Sequence, residues 1–183
     1  MIDSTTIKEV LISEEQLQQR VKELAKQISD DYKGEEVVLV CVLKGAVMFF
    51  ADLARYVEGD VSLDFISCSS YGSSTVSSGV VRIMKDLDKP VEGKHVVVVE
   101  DIVDTGNTLH YLLENLKSRN AKSVRLVALL NKPDRRTAEV KVDYQGFEIP
   151  DYFVVGYGLD FAEKYRNLPF VGILNEKVYQ DKV

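Results

Sequence analysis

Cysteine is scarce in this chain: Cys41 and Cys68 are the only two in 183 residues. Two thiols build no disulfide scaffold, and without a CxxC pair or a His/Cys cluster no structural zinc is expected. Positive charge is not in excess either. Lys and Arg number 23 against 29 Asp and Glu, a net charge of −6, which disfavours a protein that coats duplex nucleic acid. The opening MIDSTTIKEV has no basic stretch and no apolar core, so no secretory signal is read. The one apolar run that approaches membrane length, Val37 to Ala54, is broken by Lys44, Gly45 and Asp52, and reads better as a strand followed by a helix. No repeat, linker, GxxxxGK(S/T) or GxGxxG pattern is present. These absences leave a single cytoplasmic domain over 1–183, with two reduced thiols and no membrane partner.

What is present is a soluble globular balance, 45% apolar and 28% charged residues. Ser13-x-x-Gln16 is a capping box, and behind it Leu17, Val21, Leu24 and Ile28 share one helical face. Val37 to Leu43 is a continuous apolar run, the signature of a strand buried on both faces of a parallel sheet. A helix over Ala46 to Val57 follows, then strands over Val61 to Cys68 and Val80 to Met84. His95 to Val99 starts another strand, Leu109, Leu112, Leu113 and Leu116 mark an amphipathic helix ending near Asn120, and Ser123 to Leu130 is a further buried strand. Shorter strands are expected over Glu139 to Tyr144, Tyr152 to Val155 and Val171 to Leu174. Buried strands alternating with helices predict an α/β fold with a mainly parallel central sheet flanked by helices. Ligands of such sheets sit at the carboxyl ends of the strands.

Two segments break this rhythm. Ser67 to Gly79 holds seven serines, a threonine and two glycines around Tyr71. Long polar loops inside a domain are lids, binding loops or disordered, and a mobile lid over 69–79 is the reading adopted. The second is Val96-Val97-Val98-Val99-Glu100-Asp101-Ile102-Val103-Asp104-Thr105-Gly106-Asn107-Thr108-Leu109. Here a buried strand ends in two carboxylates, and a short loop opens a helix. Backbone N–H groups at a helix start bind phosphate, Gly106 lets the backbone approach closely, and Thr105 and Thr108 add hydroxyls. Three carboxylates beside a phosphate loop would repel a bare anion. They fit a ligand whose sugar hydroxyls donate to them and whose oxygens share a Mg²⁺ with them, which describes a ribose phosphate better than a nucleoside triphosphate. The plainer alternative is that Asp104 only caps the helix while Glu100 and Asp101 end the strand in solvent.

The segment resembles the phosphoribosyl-diphosphate (PRPP) motif of the type I phosphoribosyltransferases. Val42-Leu43-Lys44-Gly45-Ala46, Ser69-Ser70-Tyr71-Gly72, the stretch from Ile149-Pro150-Asp151 to Gly158-Leu159-Asp160, and Tyr165-Arg166-Asn167-Leu168-Pro169 narrow the likeness. Together they resemble the bacterial hypoxanthine-guanine phosphoribosyltransferases over nearly the whole chain, in order. The resemblance implies a small hood of terminal segments on the sheet, and Mg²⁺-dependent transfer of a phosphoribosyl group from PRPP to hypoxanthine or guanine, xanthine being a further option. IMP or GMP and pyrophosphate would be released, and the assembly would be a homodimer or homotetramer. Glu100 and Asp101 would hold the ribose hydroxyls, and with Asp160 the Mg²⁺. Asp104, Thr105, Gly106, Asn107 and Thr108 would cradle the 5′-phosphate, and Asp104 would also face the purine N7 as the catalytic residue, either general base or electrostatic partner. Asn107 stands where some members have lysine. Lys44 and Gly45, in the family through an unusual cis peptide, would present backbone amides to the pyrophosphate, which Arg166 would also meet. Lys132 would donate to the purine O6, Phe153 would stack on the base, and the Val154 backbone and Asp160 would lie near its edge. Ser70 and Tyr71 would belong to the lid.

Other residues read more plainly. Cys41 is expected to be an inert core thiol, and His95 and His110 lack partner spacing. A regulatory RNA-binding protein on the same fold is a second reading. Arg135, Arg136 and Lys141 are its only candidate basic patch, and the net charge opposes it. A phospho-acceptor domain is a third, but there the acidic pair should come early in the chain.

Overall fold

The computed structural model describes residues 6–70 and 81–180. Strand β1 (Ile7–Ile12) leads into helix α1 (Glu14–Asp31). The capping box forms: Gln16 N donates to the Ser13 hydroxyl and Ser13 N donates to the Gln16 side chain at 2.8 Å. The chain continues through β2 (Glu36–Leu43), α2 (Val47–Tyr56), β3 (Asp60–Ser70) and β4 (Val81–Lys85). Then come β5 (His95–Val103), α3 (Asn107–Lys117), β6 (Ser123–Asn131) and a 3-10 turn over Pro133–Arg135. It closes with β7 (Tyr144–Glu148), β8 (Val154–Val155), β9 (Val171–Leu174) and α4 (Glu176–Gln180).

The main sheet has the order β4-β3-β2-β5-β6-β7, parallel except for β4 at its edge. Its strands alternate their burial between two cores, because successive side chains point to opposite faces. Leu39, Cys41, Val97 and Val99 meet Leu17, Val21, Leu24, Phe49 and Leu53 of α1 and α2. Val38, Val40, Val96 and Val98 meet Leu109, Leu112 and Leu116 of α3 on the other side. The chain runs from β2 outward to β3 and β4, then returns to β2's other flank as β5. The order therefore reverses between β2 and β5, where such sheets place their ligands. β1, β9 and β8 form a separate antiparallel sheet, the hood expected from the terminal segments.

The strand expected over Glu139 to Tyr144 is not there: the sheet strand begins at Tyr144, and 139–143 crosses the surface without regular structure. Val140 and Val142 alternate with charged residues because they pack onto the α3 core from outside, not because their backbone pairs. β1 and α4 were not expected from the sequence. Tyr71 and the bulk of the segment read as a lid lie outside the described residues, and Ser70 is the last residue of β3.

Candidate active site

The buried valines of β5 carry Glu100 and Asp101 to the carboxyl edge of the sheet. Asp101 accepts from Ile102 N at 2.8 Å, and Glu100 accepts from Asp101 N at 3.2 Å. Loss of surrounding water pushes both carboxyls above the usual carboxylate range. Glu100 rises further because Asp101 is beside it, while hydrogen bonds with Glu100 and the backbone, and last Arg166, partly offset the rise of Asp101. A hard cation next to this pair would favour its ionised form. Among the described residues no three His, Cys, Asp or Glu side chains converge to hold a metal by themselves.

The loop after β5 is turned by Gly106, whose φ is +84°. Gly106 is also the N-cap of α3, and no side chain caps that helix. Asp104 is therefore not a capping residue, which removes the plainer reading of the motif. The carbonyls of Val103, Asp104 and Thr105 accept from Lys132 N, the Arg136 side chain, and Thr137 N and Ala138 N. In planar trans peptides the next N–H points opposite to each carbonyl, so the amides of Asp104, Thr105 and Gly106 face away from that segment. A cavity of about 180 Å³ lies against Glu100 and the stretch from Ile102 to Leu109.

A larger cavity of about 460 Å³ adjoins it, lined among others by Asp104, Lys132, Arg135, Phe153, Val154 and Asp160. The two share Ile102 and Asp104. Lys132 is only 7% exposed, and its Nζ donates to the Tyr152 carbonyl at 2.6 Å. It is not the solvated lysine of a basic loop. Phe153, by contrast, is 43% exposed and not a core aromatic; its ring meets Phe161 edge-on at 5.6 Å between centroids. Arg135 Nε lies 3.0 Å from Asp104 Oδ1, yet that buried oxygen accepts no hydrogen bond among the described residues. Arg135 also reaches Asp151 at 3.2 Å.

At the end of β2 the Leu43–Lys44 peptide is cis. Gly45 lies against Asp101, where a β-carbon would come 1.8 Å from Oδ2. The loop after β8 closes over it: Gly158 packs against the Gly45 carbonyl, and a β-carbon on Gly158 would stand 1.9 Å from that oxygen. The same loop brings in Asp160 and Arg166, paired at 2.8 Å, and Arg166 donates to the Gly158 carbonyl at 2.8 Å. Tyr157 anchors the loop to α2 by donating to Asp52 at 2.6 Å.

The structure thus gathers Lys44, Gly45, Glu100, Asp101, Asp104 to Thr108, Lys132, Phe153, Val154, Asp160 and Arg166 around the carboxyl ends of β2, β5 and β6. Arg135, Asp151 and Glu163 join them without having been singled out as site residues. Lys132 and Arg135, on either side of the short 3-10 turn that Pro133 starts, both reach Asp151, at 3.4 and 3.2 Å. Each member of the candidate basic patch has a partner in the structure. Arg135 meets Asp104 and Asp151, Arg136 meets Asn131, and Lys141 meets Asp143 at 2.8 Å. Cys41 is fully buried, and burial plus the nearby Glu100 and Asp101 push its thiol up to about 12, so it offers no thiolate. His95 pairs with Ser123 and His110 with the Glu139 carbonyl, both outside this site.

The phosphoribosyl transferase domain model matches residues 11–162. The chain is 52% identical over 174 residues to a hypoxanthine-guanine phosphoribosyltransferase of Bacillus subtilis (strain 168), covering 95% of this chain and 97% of that one. It is 51% identical over 180 residues to a protein of the same name from Mycobacterium avium, covering 95% and 89%. Its fold superimposes with a TM-score of 0.92 on the crystal structure of a hypoxanthine phosphoribosyltransferase from Staphylococcus aureus, at 48% identity and 94% coverage of each chain.

Proposed function

This chain belongs to the phosphoribosyl transferase family, and from that premise we propose that its site transfers the 5-phosphoribosyl group of PRPP to N9 of hypoxanthine or guanine. The products are IMP or GMP and pyrophosphate, which makes the protein a purine salvage enzyme. One observation carries the reading: the phosphate-loop cavity and the cavity of Lys132 and Phe153 adjoin, with Asp104 lining both. A ribose 5-phosphate seated in the first presents its C1 toward a flat base seated in the second.

The chain's own groups then have the following tasks. The backbone from Asp104 to Thr108 receives the 5′-phosphate at the uncapped start of α3. Glu100 and Asp101 accept from the ribose hydroxyls. As the bond from C1 to the pyrophosphate oxygen breaks, positive charge grows on the sugar and these carboxylates stabilise it. The bond from N9 to C1 forms, and Asp104 takes the proton the base loses, at the buried Oδ1 that accepts no hydrogen bond among the described residues and lies beside Arg135. Lys132 presents its ammonium to O6, Phe153 stacks on the ring, and the Val154 backbone and Asp160 border its edge. Lys44, Gly45 and Arg166 receive the leaving pyrophosphate.

Mg²⁺ fits the donor set. Glu100, Asp101 and Asp160 offer hard oxygens, and the first two are a water-poor carboxyl pair that a divalent cation would hold ionised. Such ions are bound by few carboxylates together with substrate oxygens. When bound, Mg²⁺ neutralises the charge of the leaving group. The Ser- and Gly-rich segment 69–79, with Ser70 and Tyr71, is assigned the lid on composition alone. The two free thiols accord with a cytoplasmic protein. Exposed Met48, Tyr56, Leu63 and Met84 accord with a homodimer or homotetramer.

The test is an assay of purified protein with Mg²⁺ and PRPP, given hypoxanthine, guanine, xanthine or adenine in turn. Nucleotide is expected from hypoxanthine and guanine and not from adenine, which lacks O6. No nucleotide from any base, with PRPP still bound, would replace the enzyme reading by that of a PRPP sensor.

A further inference from the structure

Glu163 performs no task in this reaction, yet it pairs with Arg166, the cation assigned to the leaving group, and with the ammonium of Lys44, whose backbone is assigned there too. Its Oε2 lies 2.9 Å from Lys44 Nζ, and its Oε1 lies 3.3 Å from Arg166 Nη2. Lys44 arrives from the end of β2 and Arg166 from the hood, so the carboxylate ties together two loops 119 residues apart at the Lys44 contact. The backbone is arranged to put it there. Ala162 and Glu163 both have positive φ, +51° and +63°, a region side-chain-bearing residues rarely enter. Glu163 N is fixed by donating to Asp160 Oδ2 at 2.8 Å. Both partners of the Lys44 pair are about two-thirds exposed (68% and 67%). A pair so well solvated is weak and easily exchanged.

A diphosphate reaching Lys44 and Arg166 therefore meets an anion already seated on them. We infer that Glu163 is a built-in competitor for pyrophosphate: its carboxylate occupies the Lys44–Arg166 pair, yields to the diphosphate of PRPP, and returns to hasten departure of the product. This rests on the reading that Lys44 and Arg166 meet the pyrophosphate. The carboxylate keeps the two cations in place and lowers the grip on free pyrophosphate. PRPP is also held by its 5′-phosphate and ribose, and loses proportionally less. A residue whose role were only to brace the loop would have the opposite sign, because its removal would loosen the site.

The experiment is calorimetric titration of inorganic pyrophosphate with Mg²⁺ into the intact protein and three variants, Glu163→Gln, Glu163→Gly and Arg166→Gln. Glycine suits the positive φ and removes the charge together with the side chain, so that variant keeps the test valid if glutamine disturbs the loop. The expected result is pyrophosphate affinity raised about 3- to 10-fold in both Glu163 variants, the scale of one like charge removed near the surface. Product inhibition by pyrophosphate should strengthen by the same factor, while the KM for hypoxanthine stays put. Unchanged or weaker pyrophosphate binding in both variants, with binding reduced in Arg166→Gln, overturns the competitor role alone. Undiminished binding in Arg166→Gln overturns the assignment of the pyrophosphate end, and the inference with it.

Discussion

On the proposed reading, the loop from Asp104 to Thr108 and the loop from Gly156 to Arg166 solve the same problem, holding an anion, by opposite means. The first departs from ordinary backbone once, at Gly106, and offers peptide amides at the start of a helix. The second has positive φ at Gly156, Tyr157, Gly158, Ala162, Glu163 and Tyr165. It offers a side-chain cation, Arg166, which is already engaged with Asp160 and Glu163. Peptide dipoles are fixed by the fold and cannot be neutralised by a neighbour. A charged side chain can, and here it is. The difference matches the tasks proposed for the two loops: the 5′-phosphate stays on the nucleotide through the reaction, while pyrophosphate must come free.

Asp104, at the junction of the two cavities, gives the strongest way to separate the tasks. Asp104→Asn keeps the shape and removes the base, so kcat should fall by about 10²–10⁴-fold. Pyrophosphate binding should stay within about 2-fold, because Asp104 lies outside the second loop and a change of one charge at a distance is screened. Turnover that survives the change would remove Asp104 from the chemistry. A parallel loss of pyrophosphate affinity would show that the two loops do not act separately.

Glycine replacements sharpen the contrast at the next level of effect. At Gly158, with φ +103°, alanine would put its β-carbon 1.9 Å from the Gly45 carbonyl, which is backbone and cannot step aside. Gly158→Ala should therefore displace the Lys44–Gly45 turn, and misplacement of about 1 Å is enough to lower kcat/KM by about 10²-fold. At Gly106, with φ +84°, the new β-carbon would meet the Arg136 and Val140 side chains at 3.1 Å, and these can shift. The left-handed backbone remains disfavoured by about 1–2 kcal/mol, so Gly106→Ala should cost about 5- to 30-fold. Steady-state kinetics on both variants decide the order. If Gly106→Ala is the more damaging, the second loop is not the more constrained of the two.

The same contrast explains what could be read from the sequence. The capping box of Ser13 and Gln16, the buried runs of β2 and β5, and the motif from Glu100 to Thr108 are all local, and each stands where the pattern puts it. Val140 and Val142 misled because alternation reports one buried side and not a pairing partner. β1 left no signal, since its one sheet partner among the described residues is β9, at the far end of the chain. Arg135 and Glu163 escaped for a related reason. Their partners Asp104, Asp151 and Lys44 are distant in sequence, and ion pairs between loops depend on tertiary placement that no spacing rule encodes. Tyr157, Ala162 and Glu163 adopt backbone conformations that their residue types do not announce.

Tyr157 is where the second loop is tied to the first half of the chain, and removing that tie gives the smallest of the expected effects. Its hydroxyl donates to Asp52, which also accepts from Gln18 at 2.9 Å. Burial and the Asp52 carboxylate push the phenol's ionisation well above its ordinary range, so it is a donor at every working pH. Tyr157→Phe keeps the ring in the core and deletes one hydrogen bond to a charged acceptor, a loss of about 1.5–3 kcal/mol. In a chain of this length that corresponds to a fall in Tm of about 3–12 °C. Because Gln18 still satisfies Asp52, the lower part of that range is expected. Catalysis should change less than stability: the loop retains the Gly158 contact with Gly45 and the Arg166 bond to Gly158. A calorimetric scan of the variant beside its KM for PRPP makes the check. A large rise in KM with an unchanged Tm would mean that Tyr157 aims the pyrophosphate end directly, and that the second loop is held less by its backbone than by this one hydroxyl.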